Sequence, residues 1–372
     1  MDTVAANSEL DMLREGARGA LKRTIDKADL RGGAAADAAY VARAWTMAAE
    51  MGWLGLLVPP SSGGLGLGLT EAAVLTHELG RALFPAPFTE TAIVTATLLA
   101  ALPASSERRE ALAAVASGRM RVSIARFDSA ARTALVQFPQ AATHFLALTP
   151  PVQAGGGAME AHLMRAGTEE CWVRMREPLD VTCPIGAFEL SLNATSEPLG
   201  GTITAPLAER LAAVGHIAGS AELVGVAEAA FDMAVAYVKE RHQFGAAVGS
   251  FQAIKHKLVD AFILLENAKA ATAHAAAAYD SGGSQSRLAI DAARGSAAEA
   301  ALRTTADCIQ VHGALGFSWE HDAHLFLKRA RRLVAFLGDA AASRRAIGDR
   351  LALAACGDGY DLFAETDATI DA

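Results

Sequence analysis

The sequence predicts a mainly α-helical protein with a small central β domain: a helical domain over residues 1–119, a short β domain over 120–204 and a helical bundle over 205–372. Two observations carry this. Apolar residues recur at helical spacing towards both ends of the chain, whereas between about Met120 and Leu199 short segments alternate with turns containing Gly and Pro. With 372 residues, 52% of them hydrophobic and 20% charged, and a mean hydropathy of +0.23, the chain can bury a large core built from two or three structural units.

In chain order, Glu9 to Leu57 and Thr70 to Leu83 read as helical, separated by the turn PPSSGG at Pro59–Gly64. An alanine-rich helix from Thr89 to Leu102 is stopped by Pro103, and another from Glu107 to Ala116 by Ser117-Gly118. Short strands follow at Arg121 to Ala125, His144 to Leu148, Cys171 to Met175 and Phe188 to Leu192. From Ala208 the helical period returns, with Leu223, Val226, Ala230, Met233 and Tyr237 on one face and Phe251, Ile254, Leu258, Ala261 and Leu265 on the next. These are two long antiparallel helices joined at ERHQFGAAVGS. After the linker DSGGSQS at Asp280–Ser286, three more helices span Ile290 to Val311, Asp322 to Val334 and Ala340 to Ala355.

Composition excludes several classes of function. The 33 basic and 41 acidic side chains leave a net charge of −8, which argues against a general nucleic-acid binder. The apolar stretches are alanine-rich and interrupted by charges, so no membrane span is expected, and the acidic start does not read as a signal peptide. Cys171, Cys183, Cys308 and Cys356 stand singly, which suits a reducing, cytoplasmic setting better than a disulfide framework or thiolate metal site. No GxGxxG, GxxxxGKS/T, HExxH or GxSxG motif occurs, and His312, His321 and His324 lack the acidic or thiol neighbours of a metal site; no metal is expected.

Three segments stand out: GWLGLLVPPSSGGLGLGLTEAAVLTHELGRALFPAP (Gly52–Pro87), ERHQFGAAVGSFQAIKHKLVD (Glu240–Asp260) and CIQVHGALGFSWEHDAHLFLKRA (Cys308–Ala330). Arg241, at the end of a long helix, offers a planar cationic fork suited to a pyrophosphate oxygen, and Gly245 allows a tight turn beside it. In this order the segments closely resemble the acyl-CoA dehydrogenase family of flavoproteins, over nearly the whole chain. The resemblance implies that fold and an FAD cofactor. Its ADP half would be contacted by Arg241, Gln243, Phe244, Gly245, Phe251, Gln252, Gln310 and Gly313, with Ala314 where a second glycine is usual, and the FAD itself would belong mainly to the neighbouring subunit.

The departures are as informative as the matches. Neither the T-E-P-x-x-G-S-D-like segment nor the W-I-T/S-like one, which in the family cradles the flavin ring and part of the acyl-CoA site, is present; the corresponding region offers SIARFDSAART and FLALTPPVQAGGG. The family's catalytic glutamate, in a Y-E-G-T-like turn, aligns with Leu337, between Phe336 and Gly338, and leucine takes no proton. Its alternative position, on the earlier helix, falls at Gly215. Glu209 is off that face, and Glu222 lies two turns along it, too far to substitute. The remaining candidate bases are His216, which otherwise reads as a packing residue, and Asp339, which reads better as the N-cap of the helix from Ala340. The cluster Lys328, Arg329, Arg331 and Arg332 reads as a solvated helix face, with a phosphate of FAD or CoA as the alternative.

A chain that keeps the ADP-side motifs and loses the flavin-ring cradle and the base resembles the non-catalytic subunits of bacterial heteromeric acyl-CoA dehydrogenases. That resemblance implies a catalytic partner subunit, one shared FAD per heterodimer, an α2β2 heterotetramer and a bulky CoA thioester, such as a steroid side chain, as substrate. Two other readings stand beside it: a self-sufficient homo-oligomeric dehydrogenase using Asp339 or His216, and a non-enzymatic relative that binds CoA thioesters or scaffolds a complex.

Overall fold

A computed structural model describes residues 2–126, 133–149, 160–167, 171–190, 203–283 and 286–355. The chain forms two compact units, Met1–Gly215 and His216–Ala372.

In the first unit, α1 (Asp2–Thr24), α2 (Lys27–Arg31) and α3 (Ala38–Glu50) replace the continuous helical stretch expected from Glu9 to Leu57. Local capping makes the breaks. Asp26 accepts a hydrogen bond from the Ala28 amide at 2.8 Å and Asp37 from the Ala39 amide at 2.7 Å, so each aspartate starts a new helix. After α3 two 3-10 turns, Trp53–Gly55 and Pro60–Ser62, lead to α4 (Leu69–Ala82). Gly64 folds back here so closely that a Cβ would lie 2.1 Å from the Val58 carbonyl oxygen, a contact only glycine permits.

α1 packs on α4, and an ion pair from the half-exposed Arg18 to the buried Glu78 carboxylate joins them. Arg18 donates twice to Glu78, at 2.9 and 2.8 Å. Burial by itself would raise the Glu78 pKa, but the hydrogen bonds from His77 and Arg18 outweigh it and hold the carboxyl at about 2.

The helix expected from Thr89 to Leu102 begins in a wider coil. Thr89–Thr95 is π-helical and only Ala96–Ala101, α5, is α-helical. Its side chains tie it to the first strand: Thr91 Oγ1 accepts from the Val122 amide at 2.9 Å, and Glu90 accepts from the Ile124 amide and from the Gln137 amide group, both at 3.1 Å. α6 (Ser106–Ala116) then ends at Ser117-Gly118, where Trp45 Nε1 donates to the Gly118 carbonyl at 2.8 Å.

The strands are β1 (Val122–Arg126), β2 (Thr133–Gln137), β3 (His144–Thr149), β4 (Glu160–Arg165), β5 (Cys171–Arg176) and β6 (Ile185–Leu190). β2 and β4 were not anticipated, because TALVQ and EAHLMR carry too few β-branched and aromatic residues to stand out. β6 also begins three residues earlier than expected and ends two earlier. One sheet has the order β1-β3-β4, with β1 and β3 parallel; the other is antiparallel in the order β2-β6-β5. Their shared core is Ala125, Ala134, Val136, Phe145, Ala147, Met164 and Phe188, with the two Phe rings 5.2 Å apart. Phe127–Arg132 and Pro150–Met159, which include much of the two segments set against the flavin-ring cradle, lie outside the described residues.

α7 (Ala205–Glu240) runs on into the second unit. A two-residue hairpin, β7 (His242–Gln243) and β8 (Ala246–Ala247), leads to α8 (Gln252–Asp280), α9 (Ser286–His312), α10 (Ala314–Phe317), α11 (Ala323–Leu337) and α12 (Ala340–Ala355). α9 packs on α8, α11 and α12, and alanines at 289, 293, 297, 298, 300 and 301 are what let three helices approach one. Among the described residues no helix is long and apolar enough to cross a membrane.

Candidate functional site

Arg241 follows the last residue of α7, its amide still bonded to the Tyr237 carbonyl at 2.8 Å, so its side chain leaves from a fixed backbone. The chain then reverses within four residues. His242 pairs with Ala247 and Gln243 with Ala246, while Phe244 and Gly245 both have positive φ, of 53° and 81°, as a two-residue hairpin turn requires. Glycine adopts this freely, but phenylalanine does so at a cost of about 1 kcal/mol or more. The strained ring is 94% exposed and meets Phe251 edge-on at 6.3 Å. Arg241, Gln243, Phe251 and Gln252 are exposed too, and Arg241 makes no ion pair among the described residues.

The second sequence-predicted segment lies at the end of α9. Gln310 and Gly313 are exposed, and Gly313 has φ 60° and ψ −136°, a conformation that needs glycine although nothing lies within 4 Å of where a Cβ would stand. Between them His312 is buried, with its ring stacked on Tyr237 at 4.1 Å and 4.3 Å from the ring of His321. This stack brings the end of α7 to the end of α9, so the Arg241 turn and the Gln310–Gly313 loop share one end of the bundle. Burial pushes the His312 pKa down, against the pull of its hydrogen bond with the Cys308 carbonyl at 2.7 Å. The Cys308 thiol is pushed up to about 12 by burial and is not a reactive group. Among the described residues no group of three or more His, Cys, Asp or Glu is arranged to hold a metal.

The third region is the turn between α11 and α12. Leu337 points at α7 and packs on Gly219: a Cβ there would lie 2.6 Å from both Leu337 methyls. The side chain aligned with the catalytic glutamate therefore fills an apolar contact one helical turn from Gly215. Gly338 has φ 90°, which restricts that place to glycine, and Arg294 donates to the Leu337 carbonyl at 3.5 Å and to Ser343 Oγ at 2.8 Å. Asp339 accepts from the Ala342 amide at 2.8 Å, as an N-cap of α12 does. His216 is half-buried on α7.

The basic cluster on α11 corrects the expectation of a solvated face. Arg329 is 1% exposed and donates to Glu222 at 2.9 Å, and Arg332, also buried, lies 3.6 Å from the same carboxylate. Arg331 is exposed, and Lys328 sits 4.3 Å over the Trp319 ring. Glu222, set aside in the sequence as too far to act as base, holds two guanidiniums in the bundle. Its partner lies 107 positions away and no local pattern announces it. Gly219 was missed as well; the only available signal was a glycine one turn after Gly215 in a long helix, where glycine is unfavourable unless a neighbour comes close.

Residues 7–119 match the acyl-CoA dehydrogenase N-terminal domain and residues 207–352 the C-terminal domain. The chain is 31% identical to the acyl-CoA dehydrogenase IpdE2 of Mycobacterium tuberculosis, over 87% of this chain and 91% of that protein. The chain belongs to the acyl-CoA dehydrogenase family. Its fold is that family's fold, and membership gives it an oxidoreductase role. It is also 35% identical to the acyl-CoA dehydrogenase FadE34 of Mycobacterium tuberculosis over 78% of this chain, but it spans only 39% of the length of FadE34. Among solved structures, the ChsE4-ChsE5 complex from Mycobacterium tuberculosis superposes with a TM-score of 0.80 at 22% identity, covering 92% of this chain and 97% of that one.

Proposed function

We propose that this acyl-CoA dehydrogenase chain is the base-lacking partner subunit of a heteromeric enzyme, completing an FAD site that a catalytic subunit shares with it. The division into domains at 1–119, 120–204 and 205–372 belongs to the same reading. The observation that carries it is the occupation of the base position: Leu337 packs on Gly219, and the nearest carboxylate on that turn, Asp339, caps α12. A residue that accepts a proton from the α-carbon of a thioester must present a free carboxylate or imidazole there. At the other end of the bundle, Arg241, Gln243, Phe244, Gln252, Gln310 and Gly313 face outwards.

These outward groups suit the ADP half of FAD. The Arg241 fork has two parallel N–H donors for phosphate oxygens, Gln243, Gln252 and Gln310 offer amide donors and acceptors, and Gly245 and Gly313 leave open space beside them. When bound, FAD supplies the two-electron acceptor for α,β-dehydrogenation of the thioester. This chain's part is to bind and orient; the proton is accepted by the partner subunit. The resemblance to a two-subunit complex supports a heteromer, and the subclass resemblance supports a bulky CoA thioester such as a steroid side chain as substrate.

The test is the visible absorption spectrum of the chain purified alone and purified with a co-expressed catalytic subunit. The reading expects no flavin alone and one flavin per heterodimer in the complex. A yellow protein that turns over an acyl-CoA by itself overturns it, and makes His216 and Asp339 the residues to replace next.

A further inference from the structure

Arg121, just before β1, is tied to residues 141–144. Its amide donates to Thr143 Oγ1 at 2.9 Å, its carbonyl accepts from the Thr143 and His144 amides at 2.9 and 3.0 Å, and Nε donates to the Ala141 carbonyl at 2.7 Å. A neutral carbonyl satisfies one of the N–H groups of a guanidinium and cancels none of its charge. The side chain is half-buried, and neither terminal nitrogen has a hydrogen bond or ion pair among the described residues. Burial pulls the Arg121 pKa below the usual arginine value, and no carboxylate pulls it back.

The fork borders an unfilled space. Gly33, at φ 91°, turns the chain into the 3-10 run Ala34–Ala36, and the short side chains before and at the start of α3 leave a hollow of about 30 Å³. Ala35, Ala38 and Val41 line it from the α3 side, and Arg121, Gln140 and Ala141 from the β1 side. Asp37 also borders it, but its carboxylate accepts from the Ala39 and Tyr40 amides at 2.7 and 3.3 Å and makes no ion pair with Arg121. One water needs about 10–15 Å³ of such space, so the hollow admits a planar carboxylate head and is too small for a tetrahedral phosphate. A guanidinium pairs best with a carboxylate, whose two oxygens match its two parallel donors, whereas chloride offers one point of contact. We propose that this hollow binds a small free carboxylate of the size of acetate or propionate, both oxygens on the Arg121 fork, the Gln140 amide as a further donor, and the alkyl stub against Val41 and Ala141.

The site lies within the first unit and does not rest on the flavin reading. It is tested by urea unfolding of the complete chain at neutral pH and one ionic strength, in sodium acetate, propionate, phosphate or chloride. A bidentate pair at a partly open site corresponds to a Kd of about 1–10 mM. At acetate ten times that Kd, the folded-to-unfolded ratio should rise about elevenfold over chloride and approach the course of a single site; phosphate should act as chloride does. Arg121→Met should abolish the difference between acetate and chloride. So should Ala38→Leu, which fills the hollow from an exposed position with Arg121 in place and keeps the test decisive if Arg121→Met loosens β1. Saturation transfer from the protein to the acetate methyl protons should appear with wild type and vanish with Ala38→Leu. Equal curves in acetate and chloride, a phosphate effect as large as that of acetate, or an Ala38→Leu chain that responds like wild type would each overturn the proposal. Loss of the response once a catalytic subunit is bound would overturn it too, by assigning the fork to an acidic side chain of that partner.

Discussion

The two turns of the C-terminal bundle have opposite designs. Between α7 and α8 the polar groups point outwards: Arg241 has no internal ion pair among the described residues, and Phe244 is strained and 94% exposed. Between α11 and α12 every group named here is engaged inside the chain: Leu337 on Gly219, its carbonyl on Arg294, and Asp339 on the Ala342 amide. The first turn pays a small internal cost to keep donors available to another molecule. The second is closed by packing and hydrogen bonds within the chain. Function in this chain is therefore to be sought at the turn that is poor in internal contacts.

The largest expected effect is on the closed side. Glu222→Leu strips the carboxylate from buried Arg329 and Arg332, and unfolding by urea should show a loss of about 3 kcal/mol. A change within 0.5 kcal/mol, the size of an ordinary surface substitution, would mean the bundle does not rely on this carboxylate.

Next is the Leu337 contact itself. Gly219→Val forces extra volume against the Leu337 methyls and should cost about 2 kcal/mol. Leu337→Ala in the same chain should recover at least half of that, because the clash and the cavity then offset one another. Simple additivity of the two substitutions would show that the side chains do not touch.

A smaller effect separates the loop that carries Gln310 and Gly313. His312 has a depressed pKa in the folded chain, so the folded state favours the neutral ring. The unfolded chain takes up a proton first, below about pH 6.5, and stability should fall as pH drops from there towards the folded pKa. His312→Phe keeps a ring in the Tyr237 stack and should flatten that part of the stability–pH curve; an unchanged slope would assign it to other groups.

The smallest effect on the isolated chain belongs to the open turn. Arg241→Ala should leave its stability within about 0.5 kcal/mol, yet weaken FAD retention by the complex about tenfold or more, the worth of a charge-assisted hydrogen bond. Normal flavin affinity in that complex, measured by ultrafiltration, would remove Arg241 from the site. Large loss inside and little outside at one turn, and the reverse at the other, is the pattern that the comparison demands.

The sequence by itself determined whatever is written in neighbouring residues. Helical periodicity marked the bundle from Ala208 onward, DSGGSQS marked the break between α8 and α9, and Asp339 announced its cap, because spacing and capping act within a turn or two. Arg241, Gln243, Gln310 and Gly313, singled out by the resemblance, are exposed, and the same resemblance set Leu337 and Gly215 against the two usual base positions. Other features depended on partners far along the chain. A helical period tells which side of a helix is apolar, but not what will lie against it, so α11 looked solvated until Glu222 came to it from α7. The π-helical start of the Thr89 segment is likewise tied to β1 by Thr91 and Glu90, and β2 and β4 are strands because neighbours pair with them. Tertiary structure decided that Leu337 covers Gly219, since the space a side chain fills is defined by the opposing backbone, and no stretch of adjacent residues records it.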